Sequence, residues 1–453
     1  MSEQTIVVGT LTGSLADAAR QSADGSSFLA SGENKAPILM SGSQVARLTG
    51  EEKQAVKSTY EAGYPIVLLD VVSEEINGLH GILETGLSHG FAPGVVHAEA
   101  YGINREPGGV LAQGTFYDVE VEFKADLTVN HRNEDGTTVD SSIDGGFEAV
   151  LDTEESQQFR WASVRNWIAD AGKRFDQAPK AAATETNQLT QLANAFIDTA
   201  FWFSQVVVPL GFPPSLKTLT NQYQVSSFCF SCFSQNNQSS WFYIQQQGVL
   251  NATNSYVFNS ATGQGYYVDT YQLTAWPTDF LNQPALVSMV QSSPSSTTGT
   301  TQVTSSVNFS ISGTVGFQGK QGVGQVTGGM EVSRSQTVDI PDVTVANLSN
   351  VNGNDAAWRF TMPLCHGIED GCRNSIDPCK VVSRSTFQPF DQWLWRATPR
   401  TADFAVTTRF QLRLVLTTIG KCNIFGCNCD VNQTSQVPTL SDHIFRLPYP
   451  PKS

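Results

Sequence analysis

One stretch limits what this chain can fold into more than any other: VTSSVNFSISGTVGFQGKQGVGQVTGGMEVSRSQTV, residues 303 to 338. Odd positions from Val303 to Phe317 read Val, Ser, Val, Phe, Ile, Gly, Val, Phe, and the even positions between them read Thr, Ser, Asn, Ser, Ser, Thr, Gly, Gln. After the turn-like QGKQG the alternation resumes, with Val326, Gly328, Met330 and Val332 on one face and Gln325, Thr327, Glu331 and Ser333 on the other. This predicts a long hairpin with one apolar and one polar face.

Alternation alone also fits an ordinary sandwich strand with one face in water. Three features point further. From Phe280 to Met330 the only charged side chain is Lys320, where the chain average of 15% would place roughly seven or eight. Val307 to Phe317 would extend about 36 Å, or about 28 Å when tilted near 40°, which matches a hydrocarbon layer. The polar face is Ser, Thr, Asn and Gln with recurrent glycines, which suits a water-filled lumen without unpaired charge. The lipid-facing candidates are Val307, Phe309, Ile311, Val315, Phe317, Val326, Met330 and Val332. The lumen-facing candidates are Asn308, Ser310, Ser312, Thr314, Gln325, Thr327, Glu331 and Ser333, with Lys320 at the tip. One hairpin would leave unpaired backbone edges in lipid, so this expectation requires several copies closing into a homo-oligomeric ring. The neutral QSSPSSTTGTTQVTSS before the hairpin and Pro341 after it suit a movable element.

A length of 453 residues favours two or three domains. A formal charge of −15 argues against nucleic acid, whose binding rests on phosphate neutralisation. It also gains nothing from anionic lipid, so any membrane contact must be apolar or headgroup-specific. The Ser-, Thr-, Asn-, Gln- and Gly-rich second half is typical of secreted β-proteins. Eight cysteines, Cys229, Cys232, Cys365, Cys372, Cys379, Cys422, Cys427 and Cys429, are disulfide candidates in an oxidising compartment. Zinc at CFSC and CNIFGCNC, or free thiols, are the alternatives. The opening MSEQTIVVGTLTGSLADAAR has Glu3, no basic region and no long apolar core, so it does not read as a signal peptide. No apolar run reaches the ~18 residues of a membrane-spanning helix.

The fold class expected is an α+β N-terminal domain followed by an all-β sandwich that carries the hairpin. Residues 1–129 read as mixed α/β, with APILMSG and YPIVLLDVV as strands, GEEKQAVKSTYEAG as a helix, and SEEINGLHGILETG as a second helix capped by Ser73. PGVVHAEAYGI and VLAQGTFYDVEVEF read as strands joined by NREPGG, and the segment could fold alone. Residues 130–222 read as a linker and helical segment. In it NHRNEDGTTVDSSIDGG is a loop, and TEESQQFRWASVRNWIADAGKRF and TNQLTQLANAFIDTAFWF are helices with core-packing stripes. GKRFDQAPKAAAT between them is the expected exposed hinge and site for an activating protease. Residues 223–453 read as the all-β domain.

At this point the chain resembles the leukocidin/haemolysin family of β-barrel pore-forming toxins. QGYYVDTYQLTAWPTDF, with Ala275, Trp276 and Pro277, is similar to the family's strand before the stem. VNFSISGTVGFQGKQGVGQVTGGMEVSRSQTVDIP is similar to the stem itself, AAWRFTM with Trp358 to the strand after it, and FAVTTRFQLRLVLT to the last long strand of the cap. The resemblance covers roughly Tyr223 to Ile419. YPIVLLDVVSEE and GFAPGVVHAEAYGI are similar to the pro-domain of the Vibrio-type cytolysins of that family. It implies a leukocidin-like cap and rim with a stem at 303–338, secretion, oligomerisation on a target-cell membrane through a lipid or glycan receptor, and no catalysis or cofactor. The loop PLCHGIEDGCRNSIDPCKVV departs from the family's aromatic rim, so Phe387, Phe390, Trp393, Trp395 and Arg396 stand in as membrane-binding candidates. Burial of these tryptophans in the sandwich is the competing reading.

GVGQVTG lacks the spacing of a phosphate loop, the histidines show no triad or ligand spacing, and no catalytic constellation stands out. The alternative function is a non-lytic secreted β-sandwich that binds glycans or a protein partner.

Overall fold

The computed structural model describes residues 5–22, 26–27, 35–87, 89–91, 95–118, 124–132, 138–146, 148–149, 154–173, 196–207, 218–234, 238–252, 256–259, 264–278, 287–311, 315–319, 322–326, 330–350, 354–361, 388–398, 404–419, 431–436 and 442–447. Sheet dominates, with a few helices.

The N-terminal lobe contains β1 (Ile6–Val8), α1 (Ala16–Ser22), β2 (Ser26–Ser27), β3 (Ile38–Ser41), α2 (Gly50–Glu61), β4 (Ile66–Val71), α3 (Ser73–Leu83), β5 (His89–Phe91), β6 (Ala98–Arg105) and β7 (Leu111–Asp118). Next come β8 (Lys124–Arg132), β9 (Thr138–Gly146), β10 (Glu148–Ala149) and α4 (Glu154–Ala169). Among the described residues, the elements that follow are β11 (Phe196–Val207), β12 (Thr218–Ser234), β13 (Ser239–Ala252), β14 (Tyr256–Asn259), β15 (Gln264–Thr278), β16 (Val287–Ser293), β17 (Thr297–Ile311), β18 (Val315–Gly319), β19 (Gly322–Val326), β20 (Met330–Asn347), β21 (Ala356–Thr361), β22 (Phe390–Ala397), β23 (Phe404–Ile419), β24 (Val431–Gln436) and β25 (His443–Leu447).

Local chemistry accounts for the lobe. The apolar run of β4 pairs in parallel with β3, is followed by antiparallel β6, and is buried at every position but Asp70. Thr49 starts α2 with a capping box: its hydroxyl accepts from the Glu52 N–H at 3.3 Å, and Glu52 accepts from the Thr49 N–H at 2.8 Å. At α3 the cap is Val72, whose N–H donates to Glu75 at 3.0 Å, and Ser73 is the first helical residue rather than the expected cap. The stripe of α4 packs as expected, with Trp161, Val164, Trp167 and Ile168 buried against the sheet.

Two expectations are corrected. The polar stretch 130–146 is not simply a loop, because β8 and β9 pair antiparallel from Lys124↔Gly146 to Arg132↔Thr138. The second helical pattern is a strand from Phe196 onward. β11 lies between β7, parallel, and β12, antiparallel, and bonding on both edges overrides its helix-like spacing. Residues 174–195, including the proposed protease site, lie outside the described residues.

The first sheet runs β16-β22-β13-β12-β11-β7-β6-β4-β3-β1-β2, and the second runs β17-β20-β21-β15-β23-β25-β5. Strands of the N-terminal lobe therefore enter both sheets, through β7–β11 in the first and β5–β25 in the second. One core lies between the sheets, centred on Trp358, Trp393, Trp395, Leu273 and Phe410. The Trp358 and Trp393 rings are 5.9 Å apart, and those of Trp393 and Trp395 are 5.5 Å apart.

Candidate functional site: a hairpin with a fixed root and a seated tip

The predicted two-faced stretch forms one hairpin with a single register. Pairs run from Gln302↔Asp339 through Ile311↔Met330 in β17 and β20, then from Val315↔Val326 to Gly319↔Gly322 in β18 and β19. The offset is the same in both described halves.

Residues opposite each other in an antiparallel pair share a face. Phe309 faces Val332, Ile311 faces Met330 and Val315 faces Val326, which groups the apolar candidates together. Asn308 faces Ser333, Ser310 faces Glu331 and Gly316 faces Gln325, which groups the polar ones. Val307 is opposite Arg334 and Phe317 is opposite Gly324. Arg334 thus shares the apolar face, a position the sequence reading missed, although its even spacing from Met330 and Val332 already placed it there. Ser312, Thr314, Thr327 and Lys320 lie outside the described residues.

The ladder changes character at Pro341. Between the pairs Gln302↔Asp339 and Thr300↔Val343, β20 spends more residues than β17. This is a bulge at a residue that cannot donate to a ladder. A second shift follows between Thr300 and Thr297. Beyond the bulges the two roots are pinned together. Asn347 donates from its backbone N–H to Ser296 Oγ at 2.9 Å and from Nδ2 to the Pro294 carbonyl at 2.8 Å. Trp358 Nε1–H donates to the same carbonyl at 2.9 Å; on the hairpin side of the bulge, the Ser306 N–H donates to Ser293 Oγ of β16 at 2.8 Å.

The base and the tip belong to different sheets. β17 and β20 lie in the second sheet, whereas β18 pairs with β12 of the first, Val315 opposite Ser234 and Gly316 opposite Phe233. The other edge of β12 is taken by β13 along its length, and β11 pairs only as far as Cys229. The tip therefore sits on the stretch of β12 edge that β11 leaves open.

The membrane-binding candidates on β22 are corrected. Phe390, Trp393 and Trp395 are buried, because β13 and β16 flank β22 on both edges and the second sheet covers its tryptophans. Asp391 beside them is also buried, with neither carboxylate oxygen bonded among the described residues, and burial pushes its carboxyl well above the usual range. Arg396 is exposed, its guanidinium 5.8 Å from the Trp241 ring centroid. Phe387 lies outside the described residues.

Cys229 is corrected as a disulfide candidate. It is a buried free thiol, held protonated by burial and by Asp198. Three residues apart on one strand, Cys229 and Cys232 fall on opposite faces and cannot bridge each other. Cys365, Cys372, Cys379, Cys422, Cys427 and Cys429 lie outside the described residues.

No family model matches the chain, and no curated protein matches it. Among solved structures it is similar to a pore-forming protein at 11% identity, over 52% of this chain and 95% of the other, with a TM-score of 0.34. It is similar to Clostridium perfringens delta-toxin at 13% identity, over 54% and 91%, with a TM-score of 0.32. It is also similar to the Clostridium perfringens NetB toxin in its membrane-inserted form at 11% identity, over 55% and 95%, with a TM-score of 0.28.

Proposed function

We propose that this chain is a secreted pore-forming toxin. Its monomer binds a target-cell membrane through a lipid or glycan receptor, assembles into a homo-oligomeric ring, and inserts residues near 303–338 as its share of a transmembrane β-barrel. The observation that carries the reading is the hairpin's single register, which groups an almost charge-free apolar set on one face over a length suited to hydrocarbon. In the barrel Val307, Phe309, Ile311, Val315, Phe317, Val326, Met330 and Val332 face lipid. Asn308, Ser310, Ser312, Thr314, Gln325, Thr327, Glu331 and Ser333 line the channel. Arg334, about 13 residues from the tip, would stand roughly 33 Å from it at a tilt near 40°, at headgroup level rather than in hydrocarbon. The bulge at Pro341 is the hinge, and the Asn347 clamp is the fixed pivot. Proteolysis within 173–180 activates the chain.

The test is dye release from liposomes and cells before and after limited proteolysis, with the products examined for heat-resistant oligomers. Ile311→Asp should abolish release while leaving the circular dichroism and urea midpoint of the monomer unchanged. A carboxylate at mid-membrane on the lipid face is destabilising, by less than the ~2–4 kcal/mol of a basic residue there, and the cost recurs in every subunit of a ring. Release retained by Ile311→Asp would overturn the assignment of that face. Binding without release under every condition would assign the chain to non-lytic glycan or protein recognition.

A further inference from the structure

Three of the chain's six histidines, His80, His89 and His443, meet in one buried cluster although they come from opposite ends of the sequence. The cluster lies where the N-terminal lobe joins the β-structure, between the β7–β11 seam and the β5–β25 seam. A chain of hydrogen bonds crosses it. Thr85 Oγ1 is 2.7 Å from His80 Nδ1, and His80 Nε2 is 2.9 Å from the Tyr101 hydroxyl. Tyr101 donates to Gln113 Oε1 at 3.0 Å, and Gln113 Nε2–H donates to Asp198 Oδ1 at 2.7 Å. Asp198 Oδ2 bonds His443 Nε2, and the Tyr117 hydroxyl is 2.7 Å from His443 Nδ1.

One arrangement of protons uses every link. Because the Gln113 amide donates to Asp198, its carbonyl accepts from Tyr101, whose oxygen accepts from His80 Nε2–H. Thr85 then donates to His80 Nδ1. Asp198 accepts from His443 Nε2–H, and His443 Nδ1 accepts from Tyr117. The lobe and the β-structure share one continuous network.

His89 stands outside that network. It is 4% exposed, and neither ring nitrogen has a hydrogen-bond partner among the described residues. Its ring packs 5.4 Å from Phe91, 5.4 Å from Tyr101 and 5.7 Å from His443. The titratable groups around it are His80 from α3, Tyr101 from β6, His443 from β25, Tyr117 from β7 behind His443, and Asp198 from β11. That carboxylate already accepts from Gln113 and His443. A proton added to His443 would sit beside Asp198, whereas one added to His89 has no acceptor and two histidines for neighbours.

We propose that this cluster, with His89 at its centre, is an acid-sensitive latch that holds the N-terminal lobe on the β-structure at neutral pH and lets it go as the medium acidifies. The sign follows from linkage. Burial, reinforced by His443 and His80, holds the His89 pKa well below its usual value, and burial pushes His80 down to about 4. The undocked state takes up protons near pH 6.5. Docking is therefore fully favourable above that pH and weakens as pH falls below it. His80 bonds Thr85 and Tyr101, both of the lobe, so the dependence on docking is carried by His89, which packs against His443 of β25. The proposal does not depend on membrane activity.

Hydrogen exchange of the full chain, followed by mass spectrometry from pH 7.5 to 5.0 and corrected for intrinsic rates, tests it. Peptides covering β5 and β25 should lose at least tenfold in protection relative to peptides of α2 and β4 within the lobe. His89→Phe, which keeps a ring against Tyr101 and removes the proton site, should hold protection at pH 5. Equal protection of all four elements across the range, or a His89→Phe chain that opens at the wild-type pH, would overturn the latch. Where that variant fails to fold, imidazole NMR of the wild-type chain decides: a His89 that stays neutral below pH 5.5 supports the proposal, and one that titrates at 6.5 or above sinks it.

Discussion

Gly102 and Gly114 lie opposite each other in the β6–β7 ladder, and the Trp167 ring covers both. A Cβ added at Gly102 would meet that ring at 2.4 Å, and one at Gly114 at 2.6 Å. Gly114→Ala should therefore lower stability by ~1–3 kcal/mol through overpacking, read as a lower urea midpoint with a shift in tryptophan emission. The pairing could not be read from the sequence, since the glycines meet only across the hairpin and the tryptophan arrives from α4. The tryptophans of β22 show the same limit. FDQWLWRA carries Asp391, Gln392 and Arg396 and looks half-wet, yet burial there depends on β13, β16 and the sheet above, which no local pattern encodes. The Trp161 and Trp167 stripe was legible because a helix of that spacing has one natural place to put it.

At the level of elements, period-two alternation made the strand pairing of β17 with β20 and of β18 with β19 legible, because it fixes which residues share a face. The seat of the tip was not legible, since nothing in 315–319 names β12 as a partner. The seat provides a direct test. Ser234→Cys with Val315→Cys introduces thiols at facing ladder positions, close enough to bridge. Under oxidation this chain should bind membranes yet release less than about a tenth of the dye released by its reduced form, and dithiothreitol should restore release. Equal release in both forms would show that the tip never needs to leave β12. The misreading of β11 has a physical cause as well. Phe196, Ile197 and Ala200 suit a helix stripe, but a strand bonded on both edges and buried by β7 and β12 accepts the same residues.

Across the whole molecule, composition pointed toward a sheet-rich protein, and the helices α2 and α3 with the apolar strand β4 were legible from their caps and apolar runs. How the N-terminal lobe attaches was not legible, because β5 pairs with β25 and β7 with β11 over very long sequence separations. β11 alone meets β7 from Phe196↔Leu111 to Phe203↔Asp118 and β10 at Val206 and Val207. A protease that severs the backbone after α4 would break a covalent link that these seams do not rely on. At neutral pH the nicked protein should elute from gel filtration as one particle and come apart only when urea is added, and a separate, later-eluting N-terminal fragment at neutral pH without urea would refute this. Cleavage and separation are then two events with different controls: the first is irreversible and set by an enzyme, the second reversible and set by the medium. A nicked molecule could thus travel as an inert two-fragment complex and commit only where its surroundings loosen the join.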